Sequence, residues 1–430
     1  MPFMSRPSKD RKPSTEEGST ASGGLLANAW SLLRRQPYAA LDDLMKRIIL
    51  PTLPVSDEEM ARTTHQDLGQ KLARQDLWED LAARIAYADD RRLTTPGGES
   101  AALLLALGAR SDVVAAAEDA LLDAVAPGMD GVDALEDMLL DTPHSPACAL
   151  VVALAHFDIG WAWQAAIAQG DMPHAPGDAG RIDAHFRRAA DVLAPHDARD
   201  LNAPSLAAAK CALLTAGGHP ARHVADAYEM LIDLDPDCPR HMRALGVHLL
   251  PRFAGSYDQL ELEARRTAAR TIDTWGAGGY AWVYLDALAT DDAALGQLDA
   301  GFFTEGLRDI LQIKRDQHVT NTLAAFCAIT MAPDRDRKRP RPDHVEATRA
   351  TLHECLDWIL TTHLQELHPL VWSQMLMAPG LAPALPSRRA LVTRGRDAAL
   401  RAIALRFAEE IADGTTIAFS SSGMYRLRAL

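Results

Sequence analysis

The densest cluster of metal-binding and nucleophilic side chains lies in the stretch TLHECLDWILTTHLQELH, which contains His353, Cys355, His363 and His368. A metal site on a single helix needs its ligands on one face, three or four positions apart. His353 and His363 differ by about 80° around a helix that turns about 100° per residue, and Cys355 points away from His353. The spacing favours ordinary surface or core residues, and we assign no metal ligands and no cofactor to this sequence.

Other catalytic patterns are missing from the sequence. It contains neither HExxH nor GxSxG, the signatures of a zinc protease and of a hydrolase nucleophile. The stretch WGAGGYAWVY has three glycines but lacks the lysine of a phosphate-binding loop, so it predicts a turn between two helices. Grouped carboxylates, Asp291 with Asp292 and Asp233 with Asp235 and Asp237, fall at expected helix ends, where acids are common. These observations favour a protein that is not an enzyme.

Aromatic side chains are concentrated near that turn, in a chain with only 6% aromatic residues. On a helix that starts near Gly279, Tyr280 and Tyr284 share a face, while Trp282 lies roughly opposite. Bulk on both faces is typical of a helix packed on two sides; the alternative is that one aromatic face lines a groove for a peptide or ligand. Earlier in the chain, LLPRFAGSYDQLELEARRT predicts a corner between helices. The candidate partner-binding residues at the corner and the turn are Arg252, Tyr257, Trp275, Tyr280, Trp282 and Tyr284.

The elements that carry these residues are predicted to be helices, because apolar side chains recur three and four positions apart from about Leu25 onward. Ser56 with Glu59 predicts a capping box, and the polar ARQD that follows predicts a turn into a second, antiparallel helix. SAALLLALGARSDVVAAAEDALLD is interpreted in the same way, as two helices with a turn at the glycine and an N-cap at Ser111. Hairpin follows hairpin for most of the chain.

One segment, residues 205–238, is 34 residues long and resembles a tetratricopeptide repeat. The resemblance rests on small residues in its first helix, on Tyr228 in its second, and on the closing LIDLDPD. HFRRAADVLAPHD resembles a second-helix match, although Pro195 and Pro236 are 41 rather than 34 positions apart. LLPRFAGSYDQLELEARR is also similar to helical-repeat proteins from bacteria with high-GC genomes. The resemblance implies a helical-repeat architecture with an extended partner-binding surface and implies no activity.

Composition limits the partners and the compartment. The net charge of −14 argues against nucleic acid as the main partner. Five widely spaced cysteines without a CxxC pattern indicate reduced thiols rather than disulfides. Neither a signal peptide nor a membrane span of about 18 apolar residues is predicted. We expect a cytoplasmic protein, and the sequence does not predict its oligomeric state.

Two segments are locally basic. Residues 335–341 are rich in arginine, and residues 388–428 carry eight arginines against four acidic residues. Solvated surface is the simpler interpretation of both, and contact with an acidic partner is the alternative.

The sequence predicts an all-α fold, an irregular array of antiparallel helical hairpins similar to a tetratricopeptide α-solenoid, with a small β-hairpin in TTIAFSSSGMYRLRAL. The preferred function is a non-catalytic scaffold or adaptor for a protein or peptide. The alternative is an enzyme or a small-ligand-binding regulatory protein with its site between the repeat region and the C-terminal block. The expected divisions are a disordered tail at 1–23, helical hairpins at 24–330, a basic proline-rich loop at 331–344, and a helical block with the terminal hairpin at 345–430.

Overall fold

The computed structural model describes residues 38–170, 178–216, 219–253, 255–333, 341–377 and 386–428. These residues form nineteen α-helices and three short strands. The prediction of a mostly helical fold with a small C-terminal β element is therefore confirmed. The predicted tail at 1–23 lies outside the described residues, as do residues 334–340 of the predicted basic loop.

Most helices follow one another through short turns. The first nine are α1 (Tyr38–Met45), α2 (Asp57–Arg74), α3 (Trp78–Asp90), α4 (Ala101–Leu122), α5 (Asp130–Asp141), α6 (Pro146–Gln169), α7 (Asp178–Leu193), α8 (Pro204–Leu213) and α9 (Ala221–Leu234). The others are α10 (Pro239–His248), α11 (Tyr257–Arg270), α12 (Ile272–Trp275), α13 (Gly278–Thr290), α14 (Ala300–Ile313), α15 (Gln317–Ala325), α16 (Asp343–Thr362), α17 (Pro369–Met375), α18 (Arg388–Arg406) and α19 (Ala408–Ala412).

Local sequence signals set several of these helix ends. The hydroxyl of Ser56 accepts a hydrogen bond from the backbone N–H of Glu59 at 3.3 Å, and Ser256 accepts one from Gln259 at 3.2 Å. Both bonds satisfy backbone donors in a first helical turn, as their spacing predicts. The turn between α2 and α3 passes through Asp76, whose φ is 54°.

The prediction of a turn inside the α4 sequence is wrong. A single helix runs from Ala101 to Leu122 through both Gly108 and Ser111. Gly108 lies against the backbone of α2, where an added Cβ would overlap the carbonyl oxygen of Gln66. Gly69 of α2 lies in the same way against Leu105 of α4. These glycines bring two helix backbones together and do not end a helix.

The strands are β1 (Ile48–Ile49), β2 (Thr415–Ser420) and β3 (Gly423–Arg428), in the sheet order β1-β2-β3. The antiparallel pair of β2 and β3 is the hairpin predicted from the sequence. Strand β1 was not predicted, and it pairs in parallel with β2 through Ile48 with Ile417 and Ile49 with Ala418. Ile417 and Phe419 of β2 are buried against the helices, which supply the apolar cover that two strands need for stability.

Packing extends beyond neighbouring hairpins. Helix α2 packs on α4, α4 on α6 and α6 on α7, but α10 packs mainly on α13, and α18 contacts α1. One apolar cluster contains residues from Leu72 to Phe419, on both sides of the predicted boundary at 331–344. A solenoid arrangement is not confirmed, and the four predicted divisions of the chain stay a prediction.

Helix α6 is unusually apolar for a helix of this length. Residues Pro146–Ala168 form the one helix, within the described part of the chain, that is long and apolar enough to cross a membrane. Of its most apolar window, 61% is buried inside the protein. Core helices of soluble proteins meet the same criteria, so this is weak evidence for a membrane span.

Candidate functional site

Four of the six sequence-predicted binding residues are buried. Trp275, Tyr280, Trp282 and Tyr284 each expose 2% or less of their surface. Every residue from Gly278 to Leu285 in α13 is buried, because neighbouring helices cover α13 on both sides. Trp275 and Trp282 contact each other edge to face at 5.8 Å between ring centroids. The four side chains have almost no exposed surface. Their predicted role in partner binding stays a prediction.

The two tyrosines of this group share one acceptor. Glu261 of α11 accepts hydrogen bonds from the Tyr280 and Tyr284 hydroxyls at 2.6 and 2.8 Å, both at its Oε2 atom. Arg265 donates to the other oxygen of Glu261 at 2.6 Å. Burial raises the pKa of both phenols well above the ordinary value, and hydrogen bonding to Glu261 adds to the effect. Both hydroxyls therefore stay protonated and join α11 to α13.

Arg252 and Tyr257 lie apart from these four residues. Arg252 is exposed, with its guanidinium carbon 4.6 Å from the centroid of the Phe253 ring. Tyr257 is half-buried and donates its hydroxyl to Asp291 at 2.7 Å. Each of the two has a local structural role at the corner between α10 and α11, and their predicted partner-binding role also stays a prediction.

A large cavity lies elsewhere, between helices α4, α5, α6 and α7. Its volume is about 840 Å³, within the usual range for a small-molecule site. A second apolar cluster, separate from the main core, forms much of the surrounding wall. The residues lining the cavity are Asp112, Val113, Ala116, Ala117, Ala126, Pro127, Gly128, Met129, Asp130, Gly131, Val132, His156, Ile159, Trp163, Arg181, Ala184, His185 and Arg188.

A chain of hydrogen bonds forms one polar part of this wall, apart from Asp112, Asp130 and Arg181. His185 and His156 approach each other through their Nδ1 atoms at 2.9 Å. The Nε2 atom of His156 is 2.9 Å from Oε1 of Glu136. Arg188 donates to both carboxylate oxygens of Glu136 and fixes its orientation. Three helices thus contribute one connected network, which we call the His185 chain.

The members of the His185 chain come from three consecutive helices, α5, α6 and α7. His156 interrupts the apolar run CALVVALAHFDIGWAW of α6, and it is 5% exposed. His185 and Arg188 are three positions apart on α7, so they lie on one face. Glu136 is on α5, where it can reach both helices. Helix α7 packs along α6 and brings the two histidines together.

Burial lowers the pKa of His185 to about 4, with a further contribution from the nearby His156. Burial also lowers the pKa of His156, although the hydrogen bond to Glu136 opposes this. The hydrogen bonds from Arg188 hold the pKa of Glu136 below its usual range against the effect of burial. At neutral pH the network therefore contains a carboxylate and two neutral imidazoles.

These charge states determine the tautomers. A carboxylate can only accept, so the Nε2 atom of neutral His156 carries its proton and donates to Glu136. The Nδ1 atom of His156 is then an acceptor, and His185 must donate to it from its own Nδ1. The Nε2 atom of His185 is left as an acceptor, and no described residue is hydrogen-bonded to it. The wall thus offers a ligand one imidazole nitrogen that accepts a hydrogen bond and has a fixed orientation.

Sequence reasoning missed the His185 chain. One signal was available, since a histidine inside a long apolar run must find a polar partner. The identity of that partner was not readable, because Glu136 and His185 are 20 and 29 positions away on other helices. Among the described residues, one group of side chains has metal-binding donor atoms within 4.8 Å of one another, namely Asp235, Cys238 and His241. It lies at the junction of α9 and α10 and not in the cavity.

No protein-family model matches this chain, and neither a curated protein nor a solved structure is significantly similar to it. The likeness to tetratricopeptide repeats therefore stays a prediction.

Proposed function

We propose that this protein binds a small molecule in the cavity between α4 and α7. The ligand has an apolar body and carries a hydroxyl or N–H group. The observation that carries this proposal is the His185 chain, which presents a neutral imidazole acceptor on an otherwise mostly apolar wall. An acceptor of this kind distinguishes donor-bearing ligands from equally apolar ones that lack a donor.

The lining residues favour binding over covalent catalysis. Among the described ones, none is Ser, Thr, Cys, Lys or Tyr, which supply most nucleophiles of covalent catalysis. Trp163 is 3% exposed, and the guanidinium of Arg181 lies 5.4 Å from its ring centroid. This pair places a cation and an aromatic ring together at one side of the cavity, where an aromatic or alicyclic ligand can pack beside them.

The test compares bicyclic phenols with their methyl ethers, which have the same body but no donor. We expect the phenol to bind about five- to tenfold more tightly, the effect of one hydrogen bond in a buried site. Isothermal titration calorimetry gives both affinities, and a tryptophan fluorescence change that is lost in a Trp163→Phe variant reports that the compound enters this cavity. The preference must disappear in a His185→Leu variant. His223→Leu, which changes an exposed histidine of α9, serves as the control and should leave it intact.

Acidity provides a second readout. Because the pKa of His185 is lowered to about 4, its acceptor stays available at pH 5.5, where an ordinary histidine is mostly protonated. The phenol preference should therefore be equal at pH 7.5 and 5.5. Equal affinity for phenol and ether, or no binding of either compound up to its solubility limit, would contradict the proposal.

A second candidate function, the adaptor expected from the sequence, is favoured by a different observation. An open groove of about 830 Å³ runs along α18, with Arg389, Arg394 and Arg401 among its lining residues. Within the described residues, none of these three side chains forms an ion pair. Ala398, Ala402 and Ile329 supply apolar contacts beside them. Charge complementarity makes an acidic peptide the matching occupant.

Fluorescence anisotropy of an acidic peptide with interspersed leucines tests this candidate. Replacement of the three arginines of the groove by Gln should weaken binding at least about tenfold and reduce its salt dependence. The matched control replaces Arg84, Arg199 and Arg222, three exposed arginines elsewhere, and changes the net charge equally. Equal loss of binding in both triple variants would show only a general charge effect and would reject the groove.

A further inference from the structure

Three side chains of different chemistry meet where α9 ends and α10 begins. Asp235 follows the last residue of α9, Cys238 is the N-cap of α10, and His241 lies in the first turn of α10. They expose 3%, 1% and 5% of their surfaces, respectively. One donor atom from each, a carboxylate oxygen, a thiol sulfur and an imidazole nitrogen, lies within 4.8 Å of the other two. The spacing D-x-x-C-x-x-H brings this about within seven residues.

The spacing of Asp235 and His241, a long hydrogen bond in this structure, also suits two ligands of one metal ion. The Oδ2 atom of Asp235 is 3.3 Å from Nε2 of His241. A charged hydrogen bond between such groups is usually about 2.7–2.9 Å long. The edge of a tetrahedron whose metal–ligand bonds are about 2.0 Å long is about 3.3 Å. The carboxylate and imidazole are thus spaced as two ligands of one ion.

One atom of the cluster lacks a partner. Among the described residues, the Oδ1 atom of Asp235 is buried without any hydrogen bond. An unpaired buried carboxylate oxygen is costly, because desolvation is not offset by any bond. The adjacent arginines on α10 are engaged elsewhere, Arg240 with Glu99 and Arg243 with Asp286. A cation at the cluster would neutralise the Asp235 carboxylate that these arginines leave aside.

The donor set selects the kind of cation. Cysteine sulfur, histidine nitrogen and aspartate oxygen are all common ligands of Zn²⁺, whereas Mg²⁺ and Ca²⁺ bind oxygen and avoid thiolate. We propose that Asp235, Cys238 and His241 form a binding site for Zn²⁺ or a similar divalent transition-metal ion. The Cys238 thiol donates to the carbonyl oxygen of Gly98 in this structure, and it gives up this hydrogen bond and releases its proton to solvent as the sulfur binds the ion. The proposal is independent of the ligand cavity, which lies between other helices.

The bound ion would join two parts of the fold. The carbonyl oxygen of Gly98, in the loop between α3 and α4, lies 3.3 Å from the sulfur of Cys238. Gly98 itself has a φ of 81° and fits closely against Pro239, so a side chain there would collide with the proline ring. The loop therefore borders the site. An ion held by Asp235, Cys238 and His241 would lie beside this loop and would fix the start of α10 next to it.

Metal titration of the purified full-length chain tests the site. After treatment with a chelator, the protein is titrated with Co²⁺ and then with Zn²⁺. We expect one equivalent of Co²⁺ to give the near-ultraviolet absorption of a cobalt–thiolate bond, and one equivalent of Zn²⁺ to displace it. Elemental analysis should find one zinc per chain after dialysis. Absence of both the thiolate band and stoichiometric zinc in the unmodified protein would overturn the proposal.

Variants assign the ligands. Cys238→Ser should remove the cobalt–thiolate band, and Asp235→Asn, which keeps the side-chain shape, should lower zinc affinity at least about tenfold. Cys211→Ser changes another buried cysteine outside the cluster and should leave both readouts unchanged. Circular dichroism confirms that each variant is folded. A band that persists in Cys238→Ser, or that is lost equally in Cys211→Ser, would reject this site.

Discussion

The Tyr280 and Tyr284 hydroxyls meet one oxygen of Glu261, and the backbone N–H of Asp299 donates in turn to the oxygen of Tyr280 at 2.9 Å. Tyr280 therefore connects three segments of chain through a single oxygen. A buried network of this kind is stabilising only while each member is satisfied. Loss of the Tyr280 hydroxyl leaves the backbone N–H of Asp299 without its hydrogen-bond acceptor.

We predict that Tyr280→Phe lowers the free energy of unfolding by about 1–2 kcal/mol, the cost of unpaired buried hydrogen-bonding groups. Tyr280→Ala, which also leaves a cavity, should cost about 3–5 kcal/mol. Urea unfolding followed by circular dichroism measures both changes. Tyr87→Phe, at a position that is 59% exposed, should stay within about 0.5 kcal/mol of the original protein. A Tyr280→Phe variant as stable as this control would contradict the role of the network.

The sequence could predict which of these aromatic residues share a face, since helical spacing alone fixes that. It could not predict their acceptor, because Glu261 lies on α11, two helices before α13, and pairs with Arg265 in the spacing of a surface ion pair. The same limit applies to the His185 chain and to Asp235, Cys238 and His241. Residue types were visible in the sequence, but their convergence depends on how helices pack.

At several places two helices come into close contact through a glycine. At Gly69 and Gly108 the backbones of α2 and α4 touch directly, and Gly246 and Gly395 bring α10 against α13 and α18 against α17 in the same manner. Gly108 looked like a turn because a glycine after an apolar helix is the usual helix end. The sequence alone does not distinguish a glycine inside a helix from one that ends it. Packing against a neighbouring helix determines which of the two occurs.

We predict that Gly108→Ala destabilises the protein by about 2–3 kcal/mol, because the new methyl group forces α2 and α4 apart. The gain in helix propensity, about 1 kcal/mol, does not offset this. Gly180→Ala in α7 is the matched control, since an added Cβ there meets no atom within 4 Å, and it should be neutral or slightly stabilising. Thermal unfolding measures both. Equal stability of the two variants would show that the helices separate without cost.

For the whole molecule, three partly buried histidines share one response to acid. Burial lowers the pKa of His185, His248 and His318 to about 4 in each case. In the unfolded chain each titrates near 6.5. The unfolded state therefore binds more protons between pH 6.5 and 4, and stability decreases as the pH is lowered through this window. Asp89 acts in the opposite direction, because burial raises its pKa to about 6.

We predict a net loss of about 2–4 kcal/mol of unfolding free energy between pH 7.5 and pH 5, after allowance for the partial exposure of the rings and for Asp89. Urea unfolding at the two pH values gives this difference. Replacement of the three histidines by Gln should remove most of it. Stability that is unchanged or higher at pH 5 would contradict the assignment of these histidines as neutral groups.

The sequence predicted the helical class, several helix ends and the C-terminal hairpin, because periodicity, caps and alternation are local signals. It missed β1 for a physical reason. Ile48 and Ile49 make a strand only because β2 lies beside them, and two residues contain no strand pattern of their own. The solenoid expectation depended on hairpins packing in chain order, which periodicity does not determine.

The pairing of β1 with β2 bears on how the protein folds. The side chain of Arg47 donates to the carbonyl oxygen of Gly414, 367 positions away. The backbone N–H of Leu53 donates to the carbonyl oxygen of Leu367. Contacts between such distant positions form late, because closing so long a loop costs entropy before any bond is gained. A linear repeat array can lose its end units one at a time. Here β1, near the start of the described part of the chain, is held by β2 near its end, so we expect a slow final folding step and a single cooperative unfolding transition.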